Sequence, residues 1–442
     1  MILRFHTFLI AAAIEERAMN VVIIGAGIGG LTLGLRLQQA AIPCRIYEAA
    51  PEIKPLGVGI NLLPHATKEL SELGLVSALD SVAVRTREIA YFNRFGQVIY
   101  REPSGRFGGY EWPQFSIHRG DLQMVLLEAF LERAGAACVV TGHRCTGVEQ
   151  EAGSATAYFE NPLTREALPP ESGDIVVSCE GIHSVIRKQF YPNEGPPRYS
   201  GINMWRGVTR WKPFLTGASM VRIGWINTAK VLIYPIRNNI DEEGRQLMNW
   251  VVDIETPHYK QQRDWNRPGN LDDFIDAIAD WHFDWLDVPA LIRGAETILE
   301  YPMVDQDPLP RWSFGRVTLL GDAAHPMLPR GANGGAQAIL DGSALAELLR
   351  GSSDPVAALK DYESRRLPPT SNVVLTNREN PPDAILREIF LRTGDKPFAH
   401  IHDVISQDEL VALSERYQRV AGFDKQTLHA TLGGQAYQAA SV

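Results

Sequence analysis

Short apolar runs and glycine-rich turns alternate near the beginning of the chain. Residues Asn20 to Ile24 form a β-branched run that stops at Gly25, which is typical of a strand buried on both faces of a parallel sheet. Leu31 to Ala40 has leucine at every second position at first, as a strand would, but the preceding glycines and the helix propensity of leucine favour a buried helix. A second strand, Arg45 to Glu48, follows Pro43. This order predicts one βαβ unit.

The same patterns recur further along the chain. Helical periodicity predicts two amphipathic helices, Lys68 to Leu79 and Asp121 to Ala134, and apolar runs predict two buried strands, Asp174 to Cys179 and Arg316 to Leu320. After Ala336 the chain is predicted to be largely helical. Breaks are expected at Pro368-Pro369 and at Pro381-Pro382, because proline removes a backbone donor.

The composition changes between about residues 191 and 299. Seven of the nine tryptophans fall there, and strand-like runs cover Met220 to Ile226 and Val231 to Ile236. Since aromatic and β-branched residues favour strands, we expect a mostly antiparallel sheet domain with an aromatic interior.

These elements predict an α/β (α+β) protein of two domains. A discontinuous nucleotide-binding domain is expected over 20–90, 115–190 and 300–372, and a substrate-binding sheet domain over 91–114 and 191–299. A helical segment is expected over 373–442. Residues 1–19 are interpreted as an N-terminal extension, although Arg4 and the apolar run Phe8 to Ile14 loosely resemble a secretory signal.

Composition narrows the classes of partner. The 442 residues are 45% hydrophobic, ample for a large core, and the formal net charge of -9 gives no basic field for phosphate backbones. We therefore expect a small-molecule partner and no nucleic acid. The four cysteines, Cys44, Cys138, Cys145 and Cys179, match no metal-binding pattern, which favours reduced thiols in a cytoplasmic protein without a bound metal. No apolar run reaches the roughly 18 residues of a membrane span, so no integral membrane association is expected.

A glycine motif lies between the first strand and the first helix. Gly25, Gly27 and Gly30 satisfy GxGxxG, a turn that lets a pyrophosphate approach a helix N-terminus. Glu48 ends the second strand 18 residues after Gly30, where a carboxylate can bind an adenosine ribose. The motif predicts a bound dinucleotide and does not distinguish FAD from NAD.

A second, distant motif favours FAD. Gly321-Asp322 ends a predicted strand and leads through His325 and a glycine-rich loop into a helix near Ala336. The carboxylate can bind a ribityl chain, and the helix N-terminus can stabilise negative charge on a reduced flavin. An ordinary capping turn is the alternative for Asp322. His325 is a candidate base, although a packing or loop-fixing role is favoured.

Together with the turn Glu180 to Arg187, these motifs resemble the class A flavoprotein monooxygenases, the para-hydroxybenzoate and salicylate hydroxylase superfamily, over about residues 20 to 370. Five segments resemble its phenazine-type branch: Pro55 to Asn61, Ser116 to Met124, Met204 to Thr209, Tyr301 to Asp307 and Gly331 to Gln337. The resemblance implies a Rossmann-like FAD-binding domain of the para-hydroxybenzoate hydroxylase type, with an inserted antiparallel sheet domain and C-terminal helices.

The resemblance also implies roles for individual residues. The residues implied to contact FAD, besides the three glycines, are Glu48 and Ala49 at the adenosine ribose, Val58 against the flavin, Arg119 at the phosphate or ribityl region, Asp322 at a ribityl hydroxyl and Gly335 at the ring. Arg206 and Tyr234 align with catalytic positions, with a buried ion pair and a packed sheet aromatic as alternatives. The pocket wall is predicted to contain Met204, Trp205, Tyr301, Pro326, Met327 and Arg330.

The implied reaction is hydroxylation of an electron-rich aromatic or heteroaromatic substrate by O2, through a flavin C4a-hydroperoxide under a dry roof of aromatic residues. NADH or NADPH would bind transiently, since no second GxGxxG is present. Arg206 or Arg330 could pair with a substrate carboxylate. A flavin reductase without oxygen insertion and a noncatalytic nucleotide-binding regulator are the alternatives, and the protein is expected to be a monomer or a homodimer.

Two positions depart from the family pattern. Glu180 stands where the family has Asp, which leaves the role of that motif in NAD(P)H handling open. The loop Pro326 to Arg330 differs from the phenazine enzymes at the place where substrate is expected, which leaves the identity of the ring open.

Overall fold

The computed structural model describes residues 19–257 and 268–430, so that most of the predicted N-terminal extension and Trp265 lie outside the described residues. The predicted βαβ unit forms the centre of a six-stranded sheet. Five neighbouring strands are parallel and the edge strand is antiparallel; in spatial order they are Ser313–Phe314, Val317–Leu319, Ile175–Ser178, Val21–Ile24, Cys44–Tyr47 and Val139–Val140. Every residue of Val21–Ile24 is buried, as its uninterrupted apolar sequence predicts.

Layers on both sides of this sheet bury it. The helix Ile28–Gln39 packs against the helices Arg119–Ala134 and Gly334–Arg350. A three-stranded antiparallel sheet also packs on the parallel sheet; its strands are Arg144–Gln150, Ala155–Glu160 and Ala167–Gly173. Helices and strands therefore enclose Ile28–Gln39, and its four alternating leucines are all fully buried. Complete enclosure explains why this helix lacks a 3.6-residue apolar period.

A seven-stranded sheet forms the second large layer. In spatial order its strands are Ile298–Asp305, Arg198–Trp211, Gln246–Glu255, Ala229–Arg237, Ser219–Trp225, Glu88–Phe92 and Val98–Pro103. All neighbours are antiparallel except Ser219–Trp225 and Glu88–Phe92. Two of these strands cross the expected domain limits, because Glu88–Phe92 begins before residue 91 and Ile298–Asp305 continues past residue 299.

The aromatic interior lies on the outer face of this sheet. Trp205, Trp250, Trp281 and Phe274 belong to one buried cluster, which the helix Val288–Arg293 and the short strands His282–Phe283 and Leu286–Asp287 cover. The opposite face of the sheet contacts the domain of the parallel sheet, where Asn249 packs on Gly59. The expectation of an aromatic roof over the flavin is therefore wrong: alternation along each strand directs most of the tryptophans away from it.

The connection between the two layers contains a small sheet and two short helices. Gly59–Leu62, Phe115–His118 and Ala83–Arg85 form the sheet, and Pro64–Glu72 and Val76–Val82 are the helices. The single helix predicted from Lys68 to Leu79 is wrong, because Gly74 adopts a φ of +73° between the two.

Four helices complete the described chain: Pro355–Glu379, Ala384–Thr393, Gln407–Ala421 and Lys425–Ala430. The predicted break at Pro381-Pro382 is confirmed. The predicted break at Pro368-Pro369 is wrong, since Pro355–Glu379 continues through both prolines. Buried residues on each side of the pair, including Tyr362 and Val373, hold this helix in place by packing.

Candidate active site

The predicted dinucleotide turn has the required geometry. Gly25 has a φ of +104°, and a Cβ atom there would lie 2.5 Å from the carbonyl oxygen of Cys179. A Cβ on Gly30 would collide with the Gly25 carbonyl. Beside Gly27, by contrast, no atom lies within 4 Å of the Cβ position. The turn is therefore closed on its protein side and open at the helix N-terminus, where a pyrophosphate fits.

Glu48 braces this turn from the end of the second strand. Its carboxylate accepts hydrogen bonds from the backbone N–H groups of Ala26 and Ala50, each at 2.8 Å. A carboxylate oxygen accepts more than one hydrogen bond, so both oxygens keep capacity for ribose hydroxyls. Glu48 and Ala49 are half-buried, and a ligand can reach them.

Gly321 and Asp322 form a tight turn at the end of the strand Val317–Leu319. Gly321 has a φ of +63° and begins the short 3-10 helix Gly321–Ala323. Asp322 is exposed, yet the surrounding protein removes enough water to raise the pKa of its carboxyl. A carboxylate that is both reachable and poorly hydrated lies in a deep cleft, as the ribityl role requires.

The first turn of the helix Gly334–Arg350 lies beside Asp322. A Cβ on Gly334 would lie 3.8 Å from the Asp322 Oδ1 atom, and one on Gly335 would meet only Ile28, at 3.7 Å. The helix begins two residues before the predicted Ala336, and these glycines leave room for a ring at its N-terminus.

A buried ion-pair network holds the Gly321 turn. Asp341 accepts hydrogen bonds from the Gly321 N–H at 3.2 Å, the His325 Nε2 atom at 2.6 Å and the Arg366 Nε atom at 2.7 Å. Burial opposes ionisation of Asp341, but His325 and Arg366 hold the pKa of its carboxyl below the usual range. His325 is thus a loop-fixing residue, the role that the sequence favours over that of a base.

Arg119 and Val58 lie on the opposite side of the cleft. The backbone N–H of Arg119 donates to the Val58 carbonyl at 2.9 Å, and the Arg119 side chain is exposed. Burial raises the pKa of both Asp322 and Tyr301, and the positive charge of Arg119 opposes each of these rises, after His325 for Asp322 and Arg206 for Tyr301. One cleft therefore brings together Val58, Arg119, Asp322 and Tyr301.

Arg206 and Tyr234 join the seven-stranded sheet to this cleft. The Arg206 Nη2 atom donates to the carbonyl oxygen of Gly59 at 2.8 Å, next to Val58. Burial raises the pKa of Tyr234 to about 12, although the charge of Arg206 and the hydrogen bonds with Arg206 and Asn61 act to lower it. Tyr234 is accordingly a neutral phenol near pH 7. The Arg206 Nε atom is buried and has no hydrogen-bond partner among the described residues, so the protein leaves one donor of the guanidinium unsatisfied.

The predicted pocket wall divides between the two faces of the sheet. Met204 packs with Leu232, Val251, Leu328 and Tyr301 on the face toward the cleft. Its neighbour Trp205 turns to the outer face and stacks on Phe274, with ring centroids 5.1 Å apart. Trp205 is therefore not a pocket residue, since adjacent strand residues point to opposite faces.

The loop that follows Asp322 is held by the C-terminal helices. Pro326 is buried, and Met327 packs on Val373, Val374 and Tyr417. The Arg330 guanidinium donates to both carboxylate oxygens of Asp383, at 3.2 Å. Arg330 is therefore neutralised by the protein, and its predicted pairing with a substrate carboxylate is not supported.

Glu180 has a structural role in the third motif. Its carboxylate accepts hydrogen bonds from the Ser178 and Ser184 hydroxyls, at 2.8 and 2.7 Å, and from two backbone N–H groups at the start of the helix Val185–Phe190. The side chain of Glu180, which is longer than that of the family's Asp, thus caps the turn that begins at Glu180.

Arg222 has no role among the residues predicted from sequence. This residue lies in the strand Ser219–Trp225 on the face of Arg206 and Tyr234, and its side chain is 5% exposed. A single charge within the apolar run Met220 to Ile226 is the signal that could have identified it.

Comparison with known proteins identifies the family. A family model described as "FAD binding domain" matches residues 18–376. The chain is 42% identical over 390 residues to the phenazine 1,6-dicarboxylic acid hydroxylase of Lysobacter antibioticus, covering 88% of this chain and 95% of that protein. The chain belongs to the class A flavoprotein aromatic monooxygenases. It is also 31% identical to the 3-hydroxybenzoate 6-hydroxylase of Polaromonas naphthalenivorans, over 82% of this chain and 87% of that one.

Solved structures agree on the fold of this monooxygenase. A salicylate hydroxylase in complex with its substrate superposes with a TM-score of 0.71 at 22% identity, covering 96% of this chain and all of the other. The Klebsiella pneumoniae protein HpxO, complexed with FAD and uric acid, gives a TM-score of 0.68 at 24% identity, covering 94% and 95% of the two chains. The expected Rossmann-like domain of the para-hydroxybenzoate hydroxylase type is confirmed.

Two further properties bear on partners. Within residues 19–257 and 268–430, no helix combines the length and the apolar character needed to cross a bilayer. The same ranges contain no group of three or more His, Cys, Asp or Glu side chains arranged to hold a metal ion. FAD is the cofactor, with NADH or NADPH as the co-substrate typical of the family.

Proposed function

We propose that this monooxygenase hydroxylates a planar, electron-rich heteroaromatic acid of the phenazine carboxylate class. The observation that carries the proposal is the face of the seven-stranded sheet toward the cleft. There an apolar surface of Met204, Leu232 and Val251 lies beside the partly free guanidinium of Arg206. A flat ring can pack on the apolar surface while a polar substituent contacts the cation.

The names of relatives favour an acid as substrate. The Lysobacter antibioticus relative is named for a phenazine dicarboxylic acid, and others are named for hydroxybenzoate, amino-hydroxybenzoate and hydroxynicotinate. All of these compounds combine an aromatic ring with a carboxylate. The phenazine class is preferred because that relative has the higher identity, 42% against 33% or less.

The residues of the cleft suit the binding of FAD. In this proposal Gly25, Gly27 and Gly30 hold the pyrophosphate, Glu48 and Ala49 the ribose, Asp322 and Arg119 the ribityl and phosphate groups, and Val58 and Gly335 the ring. Bound FAD supplies the acceptance of hydride from NAD(P)H and the activation of O2. The protein contributes position and the exclusion of water.

Arg206 and Tyr234 have positioning and proton-holding roles in this proposal. The neutral phenol of Tyr234 donates a hydrogen bond to an oxygen or a ring nitrogen of the substrate. The Arg206 guanidinium stabilises negative charge on the same group, which makes the ring more electron-rich. Relatives named as hydroxylases and monooxygenases support oxygen insertion, and none of those cited supports the reductase alternative.

A substrate panel tests the proposal. The holoenzyme is given phenazine-1-carboxylate, phenazine-1,6-dicarboxylate, 3-hydroxybenzoate or 6-hydroxynicotinate, and stimulated NAD(P)H consumption is measured with the product mass. We expect the phenazine acids to have the highest kcat/KM. An Arg206→Met variant should lose about tenfold or more in kcat/KM. The control Arg210→Met, at an exposed position of the same strand, should match wild type. Highest kcat/KM on a monocyclic acid would refute the proposed class.

A further inference from the structure

Arg222 is a buried cation on the cleft face of the seven-stranded sheet. Among the described residues its guanidinium makes no hydrogen bond and no ion pair, and its Nη1 atom is buried without a partner. The Arg222 Cζ atom lies 5.5 Å from the centroid of the Tyr91 ring. A guanidinium has five N–H donors, and burying them unpaired costs free energy. Such a residue points to an anion that completes the site.

The acids near Arg222 are engaged elsewhere. Asp383 pairs with Lys230 and Arg330. Burial opposes its ionisation, but Arg330 and Lys230, with a smaller contribution from the charge of Arg222, hold the pKa of its carboxyl well below the usual range. Glu102 accepts a hydrogen bond from the Ser414 hydroxyl at 2.7 Å, and burial raises the pKa of its carboxyl. Neither acid forms an ion pair with Arg222. Asp253 is engaged as well, because its Oδ2 atom forms an ion pair with the Lys230 Nζ atom at 2.7 Å.

A small cavity of about 30 Å³ lies in front of Arg222. Its lining includes Tyr91, Glu102 and Met220 from the sheet, Gly331 and Ala332 from the loop before the helix Gly334–Arg350, and Tyr417 from a C-terminal helix. Burial raises the pKa of the Glu102 carboxyl, which favours its neutral form in this cavity. This space is enough for about two water molecules or the two oxygens of one carboxylate group. Because Gly331 and Ala332 immediately precede the helix start at the flavin site, this cavity borders the cleft of the monooxygenase.

Strand register relates Arg222 to Arg206. Arg206 pairs with Val251, Val251 with Leu232, and Leu232 with Arg222, so the four residues form one row across the sheet. Three strand spacings separate the Cα atoms of the two arginines by roughly 14 Å. Two long side chains at that separation, with apolar residues between them, match a fused-ring acid better than a single ring.

We propose that Arg222 binds a carboxylate group of the substrate at the end of the pocket away from Arg206. The inference rests on the proposed function and adds to it a residue that selects for acids. A carboxylate fits the planar guanidinium fork with two hydrogen bonds.

The test compares an acid with its neutral analogue. Binding of phenazine-1-carboxylate and of phenazine-1-carboxamide to the holoenzyme is followed by the flavin absorbance change without NAD(P)H, and KM is measured with it. In Arg222→Met we expect Kd and KM for the acid to rise about tenfold or more, with little change for the amide. Arg222→Lys should restore part of the affinity, and Arg210→Met should bind both ligands as wild type does.

Stability gives a second readout that a structural role would not produce. Since Arg222 makes no hydrogen bond or ion pair within residues 19–257 and 268–430, Arg222→Met should unfold at the same temperature as wild type or a higher one. Stabilisation of wild type by added acid should be lost in the variant. Equal losses for acid and amide, or a marked fall of the unfolding temperature without ligand, would overturn the proposal.

The outcomes separate this proposal from the proposed function. If wild type binds the acid through Arg222 but forms no hydroxylated product, the proposed function fails and the carboxylate site stands. If wild type hydroxylates the acid and Arg222→Met binds it equally well, the site is wrong and the function stands.

Discussion

Two single residues, Arg206 and Tyr234, connect the seven-stranded sheet to the cleft. Arg206 donates to the Gly59 carbonyl, and Tyr234 is hydrogen-bonded to Arg206 and Asn61. Both side chains therefore have a packing role, and both lie where a ring would meet the flavin. For Tyr234, removal of the phenol hydroxyl alone distinguishes packing from contact with the substrate, because packing requires only the ring.

Replacement of Tyr234 by Phe tests the phenol. We expect kcat for hydroxylation to fall about tenfold or more, because a donor to the substrate is lost while the ring and its packing stay. FAD content and NAD(P)H oxidation without substrate should not change. Product formed per NAD(P)H consumed is the measurement, and Tyr158→Phe, at an exposed tyrosine, is the control. Full hydroxylation by Tyr234→Phe would assign Tyr234 to packing alone.

His65 gives a prediction on pH. It is fully buried, with its Nε2 atom 3.0 Å from the Asn333 Oδ1 atom, and burial lowers its pKa to about 4 from 6.5. The unfolded chain therefore takes up the proton first as pH falls. The stability contributed by neutral His65 should be complete above pH 6.5 and decrease by about 3 kcal/mol as pH falls toward 4.

The measurement is the unfolding temperature of wild type and His65→Gln between pH 7 and pH 4. The variant should lose less stability than wild type over this interval, because it lacks the titrating ring. His402→Gln, at an exposed histidine, should follow wild type. Parallel curves for wild type and His65→Gln would contradict the assignment.

The residues that bind the dinucleotide could be predicted because each belongs to a local motif. Gly25 to Gly30 and Glu48 belong to one βαβ unit, so their closeness in sequence brings them together in the fold. Trp205 and Arg330 could not be placed in this way. The face that Trp205 occupies depends on register across the sheet, and the charge of Arg330 is neutralised by Asp383, 53 positions later.

Packing between elements overrides local preferences in the C-terminal half. The helix Pro355–Glu379 passes through Pro368 and Pro369, although proline in a helix interior removes a hydrogen bond and crowds the preceding turn. Buried contacts on both sides hold the helix, and a sequence reading by local signals alone predicts a break there. Gly74 has the opposite effect, since one residue with positive φ divides a continuous helical pattern.

Replacing Pro368 by Ala should raise stability. The position is exposed, so alanine leaves no cavity, and it restores a backbone donor within the helix. We expect a gain of about 1–3 kcal/mol in the free energy of unfolding. Pro355→Ala is the matched control at the first turn, where proline is well tolerated, and it should give no gain. The unfolding temperatures of the two variants decide; equal shifts would show that Pro368 causes no strain.

The substrate site of the whole molecule is built from segments distant in sequence. The parallel sheet supplies the FAD cleft, the seven-stranded sheet supplies the apolar face with Arg206 and Arg222, and the C-terminal helices hold the loop after Asp322. The fold and cofactor were predictable because motifs encode them. The substrate pocket was not, because its wall is formed by faces, registers and ion pairs between segments up to several hundred residues apart.

The most direct test of this account is the mass of the product formed from phenazine-1-carboxylate under isotopically labelled O2. The holoenzyme with NAD(P)H should add one labelled oxygen atom to the ring for each NAD(P)H consumed. Consumption of NAD(P)H with release of hydrogen peroxide, and recovery of the acid without added oxygen, would contradict the account.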